Sequence, residues 1–313
     1  MKTHEPRHLK LLGLGKRKGW SPMFSAKKSP YLVPVDGSFR RTDFPAHPLT
    51  DAPKKKKIEK RLTACIEQMS ELQKVFYAHD RHALLLVFQA MDAGGKDSTI
   101  RAVMSGINPA GCQVFSFKKP GEEALDHDFL WRSSKRLPER GRIGIFNRSY
   151  YEEVLVTRVH PGILDNQKLP DAIDQKTIWK ERYDSIRDHE KHLARNGTVI
   201  LKFWLNVSRK EQKQRFLSRL NEPEKHWKFS SADMRERSLF PKYMAAYEDA
   251  LRATSKPWAP WYAIPADEKP FMRLTVAEII VDTLKSLKMK YPDVQKKEKA
   301  RFDEMRKILM KDE

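Results

Sequence analysis

Cysteine is scarce in this 313-residue chain, and long apolar stretches are missing. The two cysteines, Cys65 and Cys112, lie in apolar periodic segments and lack the close spacing of metal ligands. A reducing cytoplasm is therefore the expected location. The apolar run ALLLVF at 83–88 is far shorter than the ~20 residues that a membrane span needs. We therefore expect a soluble cytoplasmic protein without a membrane partner.

Acidic residues are too few to balance the basic ones. The chain has 61 Lys and Arg against 41 Asp and Glu, and its formal net charge is +20. Such an excess indicates a polyanionic partner: nucleic acid, an anionic membrane surface or a phosphate-rich substrate. Basic tails that only keep the protein in solution are the alternative. Residues 1–52 are rich in Pro, Gly, Lys and Arg without periodicity, which predicts a basic arm lying over a domain or partly disordered.

Apolar periodicity predicts alternating helices and strands in the rest of the chain. Helices are expected at 54–80, 99–106, 122–137 and around 168–195, and strands at 83–88, 112–117, 142–146 and 198–205. This alternation predicts an α/β domain with a central parallel sheet and helices on both faces, whose ligands bind at the carboxyl ends of the strands. The segment 206–257 is expected to be a helical excursion from the sheet, and the tail from Lys288 a charged helix.

Two residues are missing from an otherwise familiar phosphate loop in the stretch FQAMDAGGKDSTI. The standard pattern is Gly, four residues, Gly-Lys, then Ser or Thr. Here Ala90 replaces the first glycine, and Asp97 replaces the hydroxyl that usually binds magnesium. Gly94 and Gly95 allow backbone N–H groups to approach an anion, and Lys96 adds a positive charge. The loop therefore predicts phosphate binding.

Asp92 is the unusual residue of this loop, since a carboxylate beside phosphate is repulsive unless a divalent cation lies between them. We infer a magnesium site that uses Asp92 in place of the hydroxyl. A plain strand-to-helix turn, with Asp92 and Asp97 as caps, is the alternative. The loop residues expected to contact phosphate or nucleotide are Ala93, Gly94, Gly95, Asp97 and Ser98.

A second motif, IGIFNRSYYEE, follows a predicted strand and should lie beside the loop. Its Asn147 is a neutral oxygen donor where nucleotide-binding folds usually have a magnesium-binding Asp. Arg148 could clamp a transferring phosphoryl group through two hydrogen bonds. A simple Asn-Arg-Ser turn is the alternative.

Further cations are candidates for the same site. Lys118 stands at the end of a predicted strand, and Arg132 follows on the next predicted helix. A basic segment predicts a mobile flap that closes over phosphates, with Arg215, Arg219, Lys225 and Lys228 as its candidate contacts. An ordinary solvated helix face is the alternative for this segment.

The blocks MDAGGKD, SFKKP, DHDFLWR, GIFNRSYYEEVLVTRVHP, KHWKFS and APWYAIPADEK, in this order, resemble the second family of polyphosphate kinases. The resemblance implies a three-layer α/β/α fold of the P-loop kinase type with a helical lid at about 206–257. The implied catalytic domain is 53–290, followed by a charged helix at 291–313.

This resemblance also implies an activity and its partners. The family transfers phosphoryl groups between inorganic polyphosphate and nucleotides with Mg²⁺, as a homodimer or homotetramer. Asp92 and Lys96 resemble the catalytic loop pair, and Arg148 resembles the arginine of the second motif. NRSYYEE resembles the subgroup that accepts AMP as well as ADP, forming ADP and ATP, and guanine nucleotides stay open. Many members have Asp in place of Asn147, so its part in metal binding, shared with Asp92, is an expectation.

Two other functions remain alternatives at this point. An ATP-dependent small-molecule kinase could use the same fold, with ATP rather than polyphosphate as donor. A nucleic-acid-binding protein could use the basic arm and aromatics such as Trp131 and Trp227 for stacking. No nucleic-acid-binding module is visible in the sequence, so nucleic acid is not the expected partner.

Overall fold

The computed structural model describes residues 24, 26–49, 53–169, 174 and 176–311. Residues 1–23, 25 and 50–52 of the predicted basic arm therefore lie outside the described residues. The strands are β1 (Ala83–Gln89), β2 (Cys112–Ser116), β3 (Ile143–Asn147), β4 (Thr198–Asn206) and β5 (Trp261–Pro265). The helices are α1 (Lys55–His79), α2 (Lys96–Val103), α3 (Glu122–Leu125), α4 (Trp131–Ser134), α5 (Glu152–Val159), α6 (Ile178–Arg195), α7 (Arg209–Asn221), α8 (Ser231–Ser238), α9 (Phe240–Thr254), α10 (Lys269–Ser286), α11 (Lys296–Lys299) and α12 (Phe302–Leu309).

The five strands form one parallel sheet in the order β2-β3-β1-β4-β5. Every residue of β1, β3 and β5 is buried, as expected for strands covered by helices on both faces. At the carboxyl edge, Phe88 pairs with Asn147, and Asn147 pairs with Ser116. The predicted α/β class with a central parallel sheet is confirmed, and the register brings the phosphate loop beside the second motif.

Several predicted boundaries were wrong in detail. The fifth strand was not predicted, because WYAI is a short run between prolines without periodicity. The predicted helix 122–137 is two four-residue helices, α3 and α4. Asp128 separates them, since its carboxylate accepts a hydrogen bond from the backbone of Leu130 at 2.8 Å and forms a turn. The long helix expected from 168 begins at Ile178, and the charged tail forms two short helices.

The described part of the N-terminal arm covers the β5 edge of the sheet. Val33 donates to the carbonyl of Trp261 at 2.9 Å, and Ala263 donates to the carbonyl of Tyr31 at 2.8 Å. Tyr31, Val33 and Phe39 are buried in the main core. This contact pairs backbone groups of the edge strand that would otherwise be exposed.

Among the described residues, no helix is both long and apolar enough to span a membrane.

Candidate active site

The loop between β1 and α2 makes a very close turn. Gly95 has φ of 99°, a conformation that side chains disfavour. A Cβ atom on Gly94 would lie 2.6 Å from Ala90 Cβ and 2.7 Å from the carbonyl of Met91. The two glycines therefore let the backbone turn tightly and place the N-terminus of α2 at the carboxyl edge of the sheet, where it can bind an anion.

Lys96 is the first residue of α2, and its side chain is buried beneath the loop. Its Nζ donates to the carbonyl of Ala90 at 2.8 Å. Burial, and next the charge of Arg148, lowers the pKa of Lys96 to about 8. The loop carbonyls therefore accept hydrogen bonds from the ammonium group of Lys96. A bound phosphate would compete with these carbonyls as the acceptor.

Arg148 joins the phosphate loop to the second motif. It has φ of 61°, and its backbone N–H donates to the carbonyl of Phe88 at 3.0 Å. Its guanidinium contacts Asp92 Oδ1 at 2.7 Å and Glu152 Oε2 at 3.3 Å. Glu152, and to a smaller extent Asp92, raises the pKa of Arg148 further against the opposing effect of burial. Asp92 therefore faces the site but is paired with an arginine in this conformation.

Asn147 and Asp97 form a second link between the two motifs. Asn147 Nδ2 donates to Asp97 Oδ1 at 2.5 Å, although fifty residues separate them in sequence. Asp97 is exposed at the start of α2, and Asn147 is buried at the end of β3. The structure thus supplies a partner for Asp97, whose position in the loop the sequence left without a clear contact.

The basic segment after β4 contacts the loop directly. Arg215 is buried, and it donates to the carbonyl of Ala93 at 3.0 Å and to that of Ala266 at 2.5 Å. A buried arginine with these backbone partners braces the phosphate loop against the end of β5. Arg215 lines the cleft, and its hydrogen bonds to the backbone support the loop; its predicted contact with polyphosphate stays a prediction.

The other predicted flap cations have their own partners. Arg219 contacts Asp233 at 3.2 Å, Lys225 pairs with Glu222, and Lys228 Nζ lies 4.9 Å from the ring centre of Trp227. Trp227 is 79% exposed and is free to contact a ligand or solvent. All three cations nevertheless line the same cleft as the loop.

The cleft at this edge of the sheet has a volume of about 730 Å³. Its walls carry nine cationic side chains and only three carboxylates, so it favours a highly charged anion. Its lining residues are Asp92, Ala93, Gly94, Gly95, Lys96, Asp97, Ser98, Ser116, Phe117, Lys118, Lys119, Asn147, Arg148, Glu211, Gln214, Arg215, Ser218, Arg219, Lys225, Lys228 and Lys269. Lys269 was not singled out as a site residue, although it is the last residue of the block APWYAIPADEK, because the preceding strand β5 was not predicted.

Arg132 is the one predicted site residue that does not line this cleft. Its guanidinium donates to the carbonyl of Lys118 at 2.6 Å and contacts Glu153 at 3.4 Å. It lines a smaller neighbouring cavity together with Glu153 and Arg182. Its contact with the Lys118 backbone indicates that Arg132 positions Lys118.

The oxygen donors of the cleft fit a metal ion that also binds phosphate. In the described part of the chain, no group of three or more His, Cys, Asp or Glu is arranged to hold a metal. Asp92, Asp97 and the Asn147 amide oxygen share the cleft. Magnesium is commonly held by one or two carboxylates, substrate phosphates and water, so this small set suffices only with the substrate bound.

Comparison with known proteins gives consistent results. The family model described as polyphosphate kinase 2 matches residues 52–292. The ADP-polyphosphate phosphotransferase of Rhodopseudomonas palustris is 55% identical over 247 residues, which are 79% of this chain and 86% of that protein. The AMP/ADP-polyphosphate phosphotransferase of Meiothermus ruber is 43% identical over 264 residues, covering 84% of this chain and 94% of that one. The crystal structure of polyphosphate kinase 2 from Arthrobacter aurescens TC1 superimposes with a TM-score of 0.79 at 35% identity, covering 87% of this chain and 94% of that one.

Proposed function

Because this chain belongs to the polyphosphate kinase 2 family, we propose that it transfers phosphoryl groups between inorganic polyphosphate and AMP or ADP. The observation that carries the proposal is the cleft, in which nine cations surround a phosphate loop without the usual hydroxyl. Polyphosphate is a continuous chain of negative charges, and a wall of cations binds such a chain by releasing its counterions. The formal charge of +20 has the same explanation.

The proposed transfer moves one terminal phosphoryl group. The bond between its phosphorus and the bridging oxygen of the donor breaks, and a bond to an oxygen of the acceptor's terminal phosphate forms. Such a step needs little covalent help, so positioning and neutralisation of charge supply the catalysis. The loop N–H groups and Lys96 hold the donor phosphates, and Arg148 clamps the group in transfer.

Asp92, with the oxygens of Asp97 and Asn147, is proposed to hold Mg²⁺. The ion, when bound, would neutralise negative charge on the phosphate oxygens. For this, Asp92 must exchange its contact with Arg148 at 2.7 Å, which frees the guanidinium for phosphate. The ion pair is thus the resting arrangement of two groups that act on the substrate.

The acceptor is proposed to be either a nucleoside monophosphate or a diphosphate. One relative is named for ADP and the other for AMP and ADP, and the motif NRSYYEE resembles the subgroup that uses both. Guanine nucleotides, which the sequence leaves open, are included in the test below. The lid at 206–257, the homodimeric or homotetrameric state and the cytoplasmic location stay predictions.

A product assay tests this proposal. The protein is incubated with Mg²⁺, long-chain polyphosphate and, in turn, AMP, ADP, GMP or GDP, and the products are separated by ion-exchange chromatography. We expect ADP and ATP from AMP, and ATP from ADP. Activity with ATP and a small-molecule acceptor, but none with polyphosphate, would show the alternative kinase function. Absence of product with every acceptor would refute the proposal.

Phosphate binding should be linked to proton uptake by Lys96. The pKa of this lysine is about 8 without ligand, and a bound phosphate should raise it because the charged form gains a partner. Between pH 8 and 9 we therefore expect net proton uptake on binding of tripolyphosphate, and weaker affinity as the pH rises through this range. Isothermal titration calorimetry in buffers with different ionisation enthalpies measures the uptake.

The same group affects stability in the ligand-free protein. Burial lowers the pKa of Lys96 in the folded protein from its ordinary value of 10.5 to about 8, so the charged form is disfavoured on folding. The resulting loss of stability is complete below pH 8 and is relieved as the pH rises towards 10.5.

A Lys96→Met variant should lack the proton uptake that accompanies binding of tripolyphosphate. Unchanged uptake in this variant would assign the uptake to another residue.

A further inference from the structure

We propose that the polyphosphate chain continues out of the cleft over a cationic track on α1, α2 and α10. The track consists of Lys54, Lys57, Arg101, Lys269 and Arg273. This inference rests on the proposed function only for the identity of the polyanion. Apart from Lys269, which also lines the cleft, the track lies on a part of the surface that the transfer step does not use.

The track begins at Lys269, which both lines the cleft and starts α10. Arg273 follows one turn later on α10, about 6 Å further along the helix axis. Between them, Met272 packs on α2, with its sulfur 3.7 Å from Thr99 Oγ1. The start of α10 therefore lies against the helix that begins at the phosphate loop, and a chain bound there can continue along both helices.

Arg101 extends the positive charge on the α2 side. Burial, then the charge of Arg101, and then that of Arg215, lowers the pKa of Arg273. Arg273 Nε is buried without a hydrogen-bond partner in the described part of the chain. Like charges that lie close together are costly to keep in place, and an anionic ligand would relieve that cost.

Lysines on α1 continue the track beyond α10. Arg61 pairs with Glu278, and Lys285 donates to Gln68 at 2.6 Å; both contacts join residues 217 positions apart. The two helices therefore run in the same direction at a constant offset. Lys54 stands seven residues before Arg61 and therefore on the same face. The offset of 217 positions places Lys54 level with the first turn of α10.

The start of α1 is also unusual by itself. Residues 54–57 are four consecutive lysines, and the first turn of the helix contains no acidic residue. The N-terminus of a helix carries a partial positive charge, so lysines there are unfavourable unless an anion is present. Among the described residues, no carboxylate lies within 4.0 Å of the charged nitrogens of the five track residues.

Direct binding of polyphosphate tests the track without depending on catalysis. The double variants Arg101→Gln/Arg273→Gln and Lys54→Gln/Lys57→Gln each remove two charges from it. Lys296→Gln/Lys299→Gln removes two charges from α11 and is the matched control. Fluorescence anisotropy measures the Kd of end-labelled long-chain polyphosphate, and competition measures the Kd of tripolyphosphate.

We expect each track variant to weaken long-chain binding about tenfold at low salt, with a shallower dependence on salt. Tripolyphosphate reaches only the cleft, so its Kd for each track variant should stay within about twofold of the wild-type value. The Kd values of both ligands for the control variant should also stay within about twofold. Thermal melting shows that the variants are folded, and the lysine pair, which lies on the exposed start of α1, keeps the test valid if the arginine pair is unstable.

Three results would overturn the proposal: unchanged long-chain affinity in both track variants, equal weakening for tripolyphosphate, or equal weakening by the control. The test is separate from that of the proposed function. A wild-type protein that binds long chains through the track but forms no nucleotide product would refute the transfer and leave the track in place.

Discussion

Replacing Lys96 with methionine is expected to lower kcat about a thousandfold without lowering the melting temperature. The ammonium group is proposed to grip the donor phosphates, and removal of one such charge-stabilising donor typically costs 10²–10³ in rate. Stability should not suffer, because burial already disfavours the charge and lowers the pKa of Lys96 to about 8. Methionine has nearly the same length and needs no hydrogen bond.

Initial rates with polyphosphate and ADP measure this effect, and thermal melting checks the fold. Lys119→Met is the matched control, since Lys119 also lines the cleft but is exposed at the end of β2. We expect the control to change kcat less than tenfold, because a flexible exposed lysine contributes little. Near-normal turnover by the Lys96→Met protein would contradict the assignment of the loop chemistry.

Replacing Lys202 with methionine is expected to destabilise the fold by about 3–5 kcal/mol, because it leaves Glu190 buried without its counter-charge. Both side chains are fully buried, and Lys202 Nζ lies 2.6 Å from Glu190 Oε2. Burial lowers the pKa of Lys202 to about 8 and raises that of Glu190. Removing the charge of either Lys202 or Glu190 alone is therefore costly in stability.

Adding Glu190→Gln to Lys202→Met should recover at least half of the lost stability. The glutamine removes the orphaned charge, and its Oε1 can still accept the hydrogen bonds that Tyr150 and Tyr151 each donate at 2.9 Å. Urea denaturation of the single and double variants gives the coupling energy. If the effects of the two single substitutions on the free energy of unfolding add up to that of the double variant within about 0.5 kcal/mol, the two charges do not depend on each other.

This buried network lies directly behind the second motif. Tyr150 and Tyr151 follow Arg148 in sequence, and Lys202 also donates to Tyr151 and to the carbonyl of Thr254. The network therefore fixes the turn that presents Arg148, whose φ of 61° is strained for a side chain. We expect the Lys202 and Glu190 variants also to lower the rate of phosphoryl transfer, because they disturb the turn that positions Arg148.

Much of the fold could be predicted from apolar patterning alone. The runs that form β1, β3 and β4 are nearly continuous, as strands buried on both faces must be. The strand β5 and the break between α3 and α4 could not, because a five-residue strand gives too little periodicity and a single Asp side chain decides the break. Both depend on contacts that local sequence does not show.

By itself, the sequence determined the phosphate loop and its neighbour. Gly94, Gly95 and Lys96 follow one strand, and Asn147 and Arg148 follow another, and the carboxyl ends of parallel strands must share an edge. Only the tertiary structure decided the partners of the charged side chains: Asp92 with Arg148, Asp97 with Asn147, Arg215 with the loop backbone, and Arg132 with Lys118. The physical reason is distance along the chain. A backbone turn is set by a few adjacent residues, whereas Arg215 reaches a carbonyl 122 positions away, and only folding brings them together.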